Sequence, residues 1–344
     1  MRAWNQADAY LLDTLAGRFA GASEVATVND TFGALTSSLS HLGPSVYNDS
    51  AMFLHYLKRN WPAEKPLPVV VPIDALGESS AKVFLLRLPK NLHFFRYQLS
   101  LLAGLPECTV LVAGMQKHWP ASFYQASEVF FARREVLPGV KKAKLMILDQ
   151  PMAGAAVERE HHLQLDAFGL QLCNLPNVFA REQLDIGSRF FLQHFPDLGD
   201  CSEVLDLACG NGVLGIYALQ KNPALRMHFV DESALAIASC KASLAASLGA
   251  VAHGRYYHNH ILHDLQLPAM DAVLCNPPFH QQHVVSDTIA VDMIAHSHRC
   301  LKPGGSLYLI GNRHLPYYAA LKQSFRHVMR ISGDHKFSLY RASK

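Results

Sequence analysis

The fold of this chain is decided by the stretch Val204-Leu205-Asp206-Leu207-Ala208-Cys209-Gly210-Asn211-Gly212-Val213-Leu214-Gly215. The pattern predicts a buried strand, a glycine turn and the start of a helix. Glycines let the backbone pass close to a ligand, and the N-terminus of a helix presents free N–H groups. Such a turn is typical of the ligand-binding edge of an α/β sheet.

Two further apolar runs end in polar residues that can bind a ligand. Phe229-Val230-Asp231 predicts a strand that ends in an acid, and the Asp231 carboxylate can accept hydrogen bonds from both hydroxyls of a ribose. Ala272-Val273-Leu274-Cys275 predicts a buried strand followed directly by Asn276-Pro277-Pro278-Phe279. Because open α/β sheets bind ligands at the C-terminal ends of their strands, we expect these residues to face one site.

The segment Asn276–Phe279, called the amine clamp below, has the chemistry to hold an amino group. The residue before a proline is pushed to extended geometry, so the backbone is stiff here. Pro277 lacks an N–H but keeps its carbonyl as an acceptor, and the Asn276 side-chain oxygen is a second acceptor. Phe279 adds a flat aromatic face. Together with the glycine turn and Asp231, this order of features predicts an S-adenosylmethionine-dependent methyltransferase that acts on an amino nitrogen.

A dinucleotide-dependent dehydrogenase is the competing interpretation of the same turn. Gly210 to Gly215 spells G-x-G-x-x-G, with an acid downstream at Asp231. However, Asp206 would place a carboxylate beside the turn, which suits the cationic amino-acid end of S-adenosylmethionine better than a pyrophosphate. The amine clamp also has no use in hydride transfer. We therefore favour the methyltransferase.

Length and composition set the broad class. With 344 residues the chain is long enough for two domains, and its 17% of charged residues is ordinary for a globular protein. We find no apolar run of membrane-spanning length, no signal-peptide pattern and no C-x-x-C pair among seven cysteines. The histidines show no zinc-site spacing. We expect a cytoplasmic monomer with reduced thiols, no membrane partner and no metal.

The C-terminal segment is basic. From Asp271 to Lys344 the chain has nine Lys or Arg residues and four Asp residues, a net charge of +5. A phosphate backbone would be attracted to such a segment. An ordinary solvated surface fits the same composition equally well.

The chain predicts two similar domains. Aligning Gly33 with Gly210 and Gly114 with Gly311 gives offsets of 177 and 197 residues, and Val83–Lys90 stands where the amine clamp would be without its sequence. We predict two tandem Rossmann-like methyltransferase domains with doubly wound, mostly parallel sheets, the first degenerate; an unrelated α/β first domain is the alternative. The predicted ranges are 1–150 for the degenerate, RNA-binding domain, 151–172 for a connection and 173–344 for the catalytic domain. In the second domain, strands are predicted at 203–207, 226–230, 254–258, 271–275, 306–311 and 336–341, and helices at 213–221, 233–247, 286–301 and 315–325.

These residues resemble those of the bacterial ribosomal RNA guanine-N2 methyltransferases. The likeness is carried by Asp206–Gly212, Val230–Ser233, Asn276–His283 and Phe179 with Leu184–Gly187, and it extends to Ala3–Leu12, Asn29–Leu35, Gly311–Leu315 and Lys336-Phe337. The family is built from two duplicated methyltransferase-like domains, of which only the second binds cofactor. One departure is Ala208, where family members usually have glycine, so the backbone would approach the cofactor slightly less closely.

The resemblance implies a substrate and a set of site residues. The substrate is the N2 amine of a guanine in 23S ribosomal RNA; methylation of 16S ribosomal RNA and a non-catalytic RNA-binding assembly factor with a relic fold are the alternatives. Asn276, Pro277 and Phe279 would be catalytic. Asp185 predicts a helix cap, or a lid over the methionine end of the cofactor. The expected S-adenosylmethionine-binding residues are Asp206, Cys209, Gly210, Gly212, Asp231, Asn259, Phe179, Asp185 and Gly187.

Overall fold

A computed structural model describes residues 4–249, 254–278 and 284–344, and it divides the chain into two compact units. One unit ends at Arg159 and the other begins at Glu160. This boundary falls inside the predicted connection 151–172. Among the described helices, none combines the length and the apolar character needed to cross a lipid bilayer.

The first unit is one seven-stranded sheet flanked by helices. Its sheet has the strand order β3-β2-β1-β4-β5-β7-β6, in which β7 is antiparallel to the other strands. The strands are β1 (Val25–Val28), β2 (Ser45–Tyr47), β3 (Val70–Val71), β4 (Val83–Arg87), β5 (Thr109–Met115), β6 (Phe131–Val140) and β7 (Ala143–Pro151). The helices are α1 (Gln6–Arg18), α2 (Ala34–Ser38), α3 (Ala51–Asn60), α4 (Leu92–Ala103) and α5 (Ala121–Phe130).

The second unit opens with a hairpin and continues into a second seven-stranded sheet. The hairpin is β8 (His161–Leu165) with β9 (Leu170–Asn174), followed by α6 (Ile186–Gln193). The sheet strands are β10 (Glu203–Leu207), β11 (Arg226–Asp231), β12 (Gly254–His258), β13 (Met270–Cys275), β14 (Leu301–Asn312), β15 (His327–Gly333) and β16 (Phe337–Ser343). The helices between them are α7 (Val213–Lys221), α8 (Ala234–Leu248), α9 (Val284–Cys300) and α10 (Tyr317–Ser324).

The two sheets have the same topology. The second has the order β12-β11-β10-β13-β14-β16-β15, which repeats the first strand for strand, and the predicted pair of mostly parallel Rossmann-like domains is confirmed. Strand β10 is buried along its whole length, because a parallel strand covered by helices on both faces has no solvent side.

Strand register defines which residues of the two domains are equivalent. Val28 pairs with Leu86 as Leu207 pairs with Cys275, and Leu86 pairs with Val112 as Cys275 pairs with Leu309. Gly114 therefore corresponds to Gly311, as predicted. The other predicted match is wrong: Gly33 corresponds to Gly212, not Gly210. Both Gly33 and Gly212 cap the following helix with positive φ, 78° and 83°.

Three serines on α8 attach the hairpin to the second domain. The hydroxyls of Ser239, Ser243 and Ser247 accept hydrogen bonds from the backbone N–H groups of Leu175, Cys173 and Gln171, at 2.9–3.0 Å. These serines are spaced four residues apart, so they lie on one face of the helix. They satisfy the edge of β9 as a neighbouring strand would. As a result, Asn174 at the end of the hairpin lies next to the glycine turn.

Candidate functional site

The glycine turn follows β10 and has an alternating backbone. Ala208, Gly210 and Gly212 all have positive φ, at 60°, 56° and 83°. A Cβ on Gly212 would lie 2.4 Å from the Cys240 Sγ atom, so the turn packs directly on α8. A Cβ on Gly210 would meet nothing within 4 Å, so at this point the backbone faces open space that a ligand can approach.

Ala208 has a conformation that favours glycine. A left-handed backbone costs an L-residue roughly 1–2 kcal/mol. From the family pattern we expect the backbone at Ala208 to approach the cofactor slightly less closely than a glycine would. The structure adds a physical reason for glycine here, which is the φ of 60°.

Asp206 is a buried carboxyl group that holds the turn. Its Oδ2 accepts a hydrogen bond from the Gly215 N–H at 2.9 Å, which ties the end of β10 to the first turn of α7. Burial raises the pKa of Asp206 to about 8, and the nearby negative charge of Asp231 adds to the shift. A cation bound beside this group would favour its ionised form.

Cys209 lies in the glycine turn with its thiol beside Cys240. Its side chain is buried, and burial beside Cys240 raises the pKa of the Cys209 thiol well above its usual value. At this position only the backbone can serve a ligand.

Asp231 lies at the end of β11 with both oxygens hydrogen-bonded to backbone. Oδ2 accepts from the Gly210 N–H at 2.8 Å and Oδ1 from the Ser233 N–H at 2.9 Å. A carboxylate oxygen can accept more than one hydrogen bond, which is the property that a ribose-binding acid needs. Asn259 is anchored beside it, since its N–H donates to the Asp231 carbonyl and its side-chain amide donates to the His263 carbonyl, both at 2.9 Å.

Asn276 of the amine clamp is fixed in one orientation. Its Nδ2 donates to Ser188 Oγ at 2.8 Å and to Asp185 Oδ2 at 3.2 Å. A carboxylate only accepts hydrogen bonds, so the amide nitrogen must face Asp185 and the amide oxygen must face the other way. That oxygen is buried and has no hydrogen-bond partner among the described residues. The clamp therefore presents a pre-oriented acceptor.

The N-terminus of α6 provides this support. Asp185 is the N-cap residue, and its Oδ2 accepts from the Ser188 N–H at 2.9 Å, which confirms the predicted cap. Gly187 is buried in the first turn of the helix. The two hydrogen bonds that Asn276 donates to Asp185 and Ser188 were not predicted, because they join residues 91 and 88 positions apart and leave no local sequence signal.

The segment that carries Phe179 is anchored beside the glycine turn. Asn174 is fully buried; its Nδ2 donates to the Arg181 carbonyl at 2.7 Å, and its Oδ1 accepts from the Asn211 amide at 2.9 Å. The Phe179 side chain is 61% exposed. Of the remaining clamp residues, Pro277 is buried, and Phe279 lies outside the described residues. The structure thus brings Asp206, Asp231 and Asn276 to one edge of the sheet.

Comparison with known proteins identifies the family. The model of the methyltransferase small domain matches residues 169–341, and that of the RLMG N-terminal domain matches residues 1–152. The proteins named ribosomal RNA large subunit methyltransferase G from Shewanella sp. (strain MR-4) and Pseudomonas putida (strain W619) are 36% and 37% identical to this chain, with 100% of it and 94% of each relative covered. The chain belongs to this family. It is therefore a methyltransferase, and the predicted family and enzyme class are confirmed.

A solved structure shares the two-domain fold. It is that of the T. thermophilus 16S rRNA N2 G1207 methyltransferase (RsmC), in complex with AdoMet and guanosine. The TM-score is 0.80 at 16% identity, and the match covers 100% of this chain and 93% of that one.

One group of described residues could hold a metal ion by distance alone. The ligand atoms of Glu160, His162 and Cys173, on the β8–β9 hairpin, lie within 4.8 Å of one another. The group is remote in sequence from the glycine turn and the clamp. That the protein needs no metal stays a prediction.

Proposed function

We propose that the protein transfers a methyl group from S-adenosylmethionine to the N2 amine of a guanine in large-subunit (23S) ribosomal RNA. The observation that carries this proposal is the buried, pre-oriented Asn276 oxygen at the C-terminal end of β13. An acceptor held in this way suits an N–H donor that arrives with the substrate, because a buried acceptor without a partner is costly. The names of the relatives support ribosomal RNA of the large subunit as the substrate.

The residues at the glycine turn fit the cofactor. Asp231, whose two oxygens are held beside the glycine turn, would accept the two ribose hydroxyls, and Gly210 leaves open space where a ligand can lie against the backbone. Asp206 would be ionised by the cationic methionine end and would then stabilise it. Asn259 would face the adenine. Cys209, Gly212, Phe179, Asp185 and Gly187 complete the proposed cofactor-binding set.

Catalysis in this proposal is mostly positioning. A guanine turned out of its stack would lie on Phe279, and its amine would donate to Asn276 Oδ1 and to the Pro277 carbonyl. When bound, S-adenosylmethionine supplies an electrophilic methyl group, and the amine nitrogen displaces the thioether sulfur from it and then loses a proton. The two acceptors direct the nitrogen lone pair and stabilise the positive charge that develops on the amine. Attack does not require prior deprotonation, so no general base is assigned.

The proposal extends to the setting of the reaction. The first domain binds RNA, the enzyme acts as a monomer without a metal, and it works in the cytoplasm, where ribosomal RNA is available.

The test is transfer of labelled methyl groups from S-adenosylmethionine to purified large- and small-subunit RNA, followed by nucleoside analysis. We expect N2-methylguanosine in large-subunit RNA only. Label in small-subunit RNA would keep the chemistry and change the substrate. Absence of both label and cofactor binding would contradict the proposal and favour the non-catalytic assembly factor.

A further inference from the structure

Four basic side chains surround a concave pocket at one corner of the second domain. The pocket has a volume of about 330 Å³ and is lined by Arg313, His314, His335 and Lys336, called the basic corner below. All four residues are exposed. Arg313 and His314 follow β14, whereas His335 and Lys336 form the turn between β15 and β16. The Arg313 N–H donates to the Lys336 carbonyl at 2.8 Å and joins the two segments.

The turn that carries Lys336 is well fixed. Asp334 Oδ1 accepts hydrogen bonds from the N–H groups of Lys336 and Phe337, at 2.7 and 2.6 Å. These bonds lower the pKa of Asp334, so its carboxylate stabilises the backbone of the turn. The Lys336 ammonium group lies 5.3 Å from the centre of the Phe337 ring. The backbone of the basic corner and the Lys336 side chain are therefore held in place.

The basic corner lies on the same edge of the sheet as the amine clamp. Cys275 pairs with Leu309, so Asn276 is level with Ile310, three residues before Arg313. With about 3.3 Å per residue along a strand and about 4.8 Å between strands, the Cα atoms of Asn276 and Arg313 are roughly 11 Å apart. The Phe337 ring also lies 6.3 Å from Phe190 of α6, the helix that supports Asn276. A phosphate adjacent to a guanine held in the clamp can reach this corner.

The first domain has a basic corner at the equivalent position. Met115 pairs with Ala143 as Asn312 pairs with Phe337, and the Gln116 N–H donates to the Lys142 carbonyl at 2.8 Å, like Arg313 to Lys336. The exposed basic residues at this turn are Lys117, Lys141 and Lys142. This domain lacks the counterparts of Asp231 and Asn276. Positive charge at this corner thus persists where the cofactor chemistry does not, which points to a polyanion rather than to the cofactor.

We propose that the basic corner binds phosphate groups of the RNA strand next to the target guanine and so sets the position of that guanine over the clamp. Arg313 and Lys336 carry permanent charges, and the two histidines supply further donors. That the base is a guanine rests on the proposed function; that the corner binds the RNA phosphate backbone does not. Phosphate contacts position a nucleic acid without selecting its sequence.

The test uses the full chain with in-vitro-transcribed large-subunit RNA and compares two double variants. Arg313→Gln with Lys336→Gln removes two charges at the corner; Lys322→Gln with Arg326→Gln removes two at the opposite edge of the sheet, where α10 ends and β15 begins. In filter binding without cofactor, we expect the corner variant to lose about tenfold in RNA affinity. Its plot of log Kd against log salt should be shallower by about 1.4, at ~0.7 per lost phosphate contact.

The control variant should bind RNA as the wild type does, and both should bind S-adenosylmethionine and melt as the wild type does. Equal losses in the two variants, or no loss in the corner variant, would overturn the inference. A protein that binds RNA through the corner but transfers no methyl group would contradict the proposed function alone. Methyl transfer that is unaffected at limiting RNA in the corner variant would contradict the inference alone.

Discussion

The two domains differ most clearly at the residue that ends the second strand of each sheet. Asp231 and Asn48 both accept a hydrogen bond from the N–H two residues later, Ser233 and Ser50, at 2.9 and 3.0 Å. Asp231 also accepts from the glycine turn, whereas the Asn48 amide donates to the Asp30 carbonyl at 2.7 Å. The turn that leads into the helix is therefore shared, but at this position a carboxylate with two acceptor oxygens stands only in the second domain.

The turn after the first strand shows a second replacement. Asn29 and Ala208 have the same left-handed backbone, with φ of 59° and 60°. The Asn29 side chain donates to the Arg87 carbonyl at 3.1 Å and exchanges hydrogen bonds with the buried Gln98. Ala208 has no side chain that could span this gap. In the first domain, the space between the turn and the fourth strand is closed by a polar bridge.

The clamp position completes the comparison. Arg87 corresponds to Asn276, and it forms an ion pair with Asp8 at 3.2 Å and donates to Asn5 Oδ1 at 3.1 Å. Both partners cap α1; at α6, Asp185 is the N-cap residue and accepts a hydrogen bond from the Ser188 N–H. The contact between the fourth strand and the first helix is kept, but a cation has replaced the acceptor. A few side chains, and not the fold, therefore distinguish the proposed catalytic domain from the first domain.

The largest effect should come from exchanging the clamp. Asn276→Ala should lower kcat by about 10²–10³-fold, the size seen when one transition-state partner is removed, and leave the cofactor Kd unchanged. Arg87→Gln at the equivalent position should instead lower the free energy of unfolding by about 3 kcal/mol, because it leaves Asp8 buried without its cation. Single-turnover methyl transfer and urea unfolding separate the two outcomes. A slow chemical step in folded Arg87→Gln, or a normal one in Asn276→Ala, would break the comparison.

The pH dependence of cofactor binding tests Asp206. Its pKa of about 8 means that the carboxyl group is mostly protonated at pH 7. A cationic ligand selects the ionised form, so binding releases a proton and the affinity rises with pH. Between pH 7 and 9, the affinity of the wild type divided by that of Asp206→Asn should rise about tenfold. Because the cofactor titrates in the same way with both proteins, its own titration drops out of this ratio. Isothermal titration calorimetry measures both; a flat ratio would exclude a direct charge interaction.

A smaller effect is expected at the support of the clamp. Ser188→Ala removes one acceptor of the Asn276 amide and should lower kcat about fivefold, the equivalent of one neutral hydrogen bond of roughly 1 kcal/mol. Ser188→Thr keeps the hydroxyl and should restore the rate. The cofactor Kd should not move in either variant. Loss of cofactor affinity without a change in kcat would assign Ser188 to the cofactor instead.

The smallest effect is expected at the strained backbone of Ala208, and Asn29 in the first domain provides the contrast. Ala208→Gly should raise the free energy of unfolding by about 0.5–1 kcal/mol, because relief of the left-handed backbone exceeds the extra entropy of an unfolded glycine. Asn29→Gly in the first domain should lower it by about 2 kcal/mol, since Gln98 then loses its partner. Urea unfolding of both variants checks the signs. A destabilised Ala208→Gly would show that the methyl group of Ala208 packs productively.

Sequence could predict much of the second domain because its strands are buried on both faces and stand out as apolar runs. Strand β10 was predicted to the residue, whereas β15 was missed because it is an exposed strand at the sheet edge. Gly33 was matched to the wrong glycine. The position that requires a left-handed backbone is the helix N-cap, and a single glycine in the first domain does not show which glycine of the second domain is its equivalent. The Asn276 orientation could not be predicted, because it depends on a contact between distant segments. The resemblance to a family supplied the substrate, which no local pattern in the chain specifies.

We propose that only the second domain binds cofactor and that the Asp231 carboxylate is the group that makes this domain competent to bind it. Titration calorimetry of S-adenosylmethionine into the wild type and into Asp231→Asn, which copies Asn48, tests this directly. We expect one site per chain in the wild type and about 100-fold weaker binding in the variant, as for the loss of a charged acceptor worth ~2.7 kcal/mol. Two sites in the wild type, or one site of unchanged affinity in Asp231→Asn, would contradict the account.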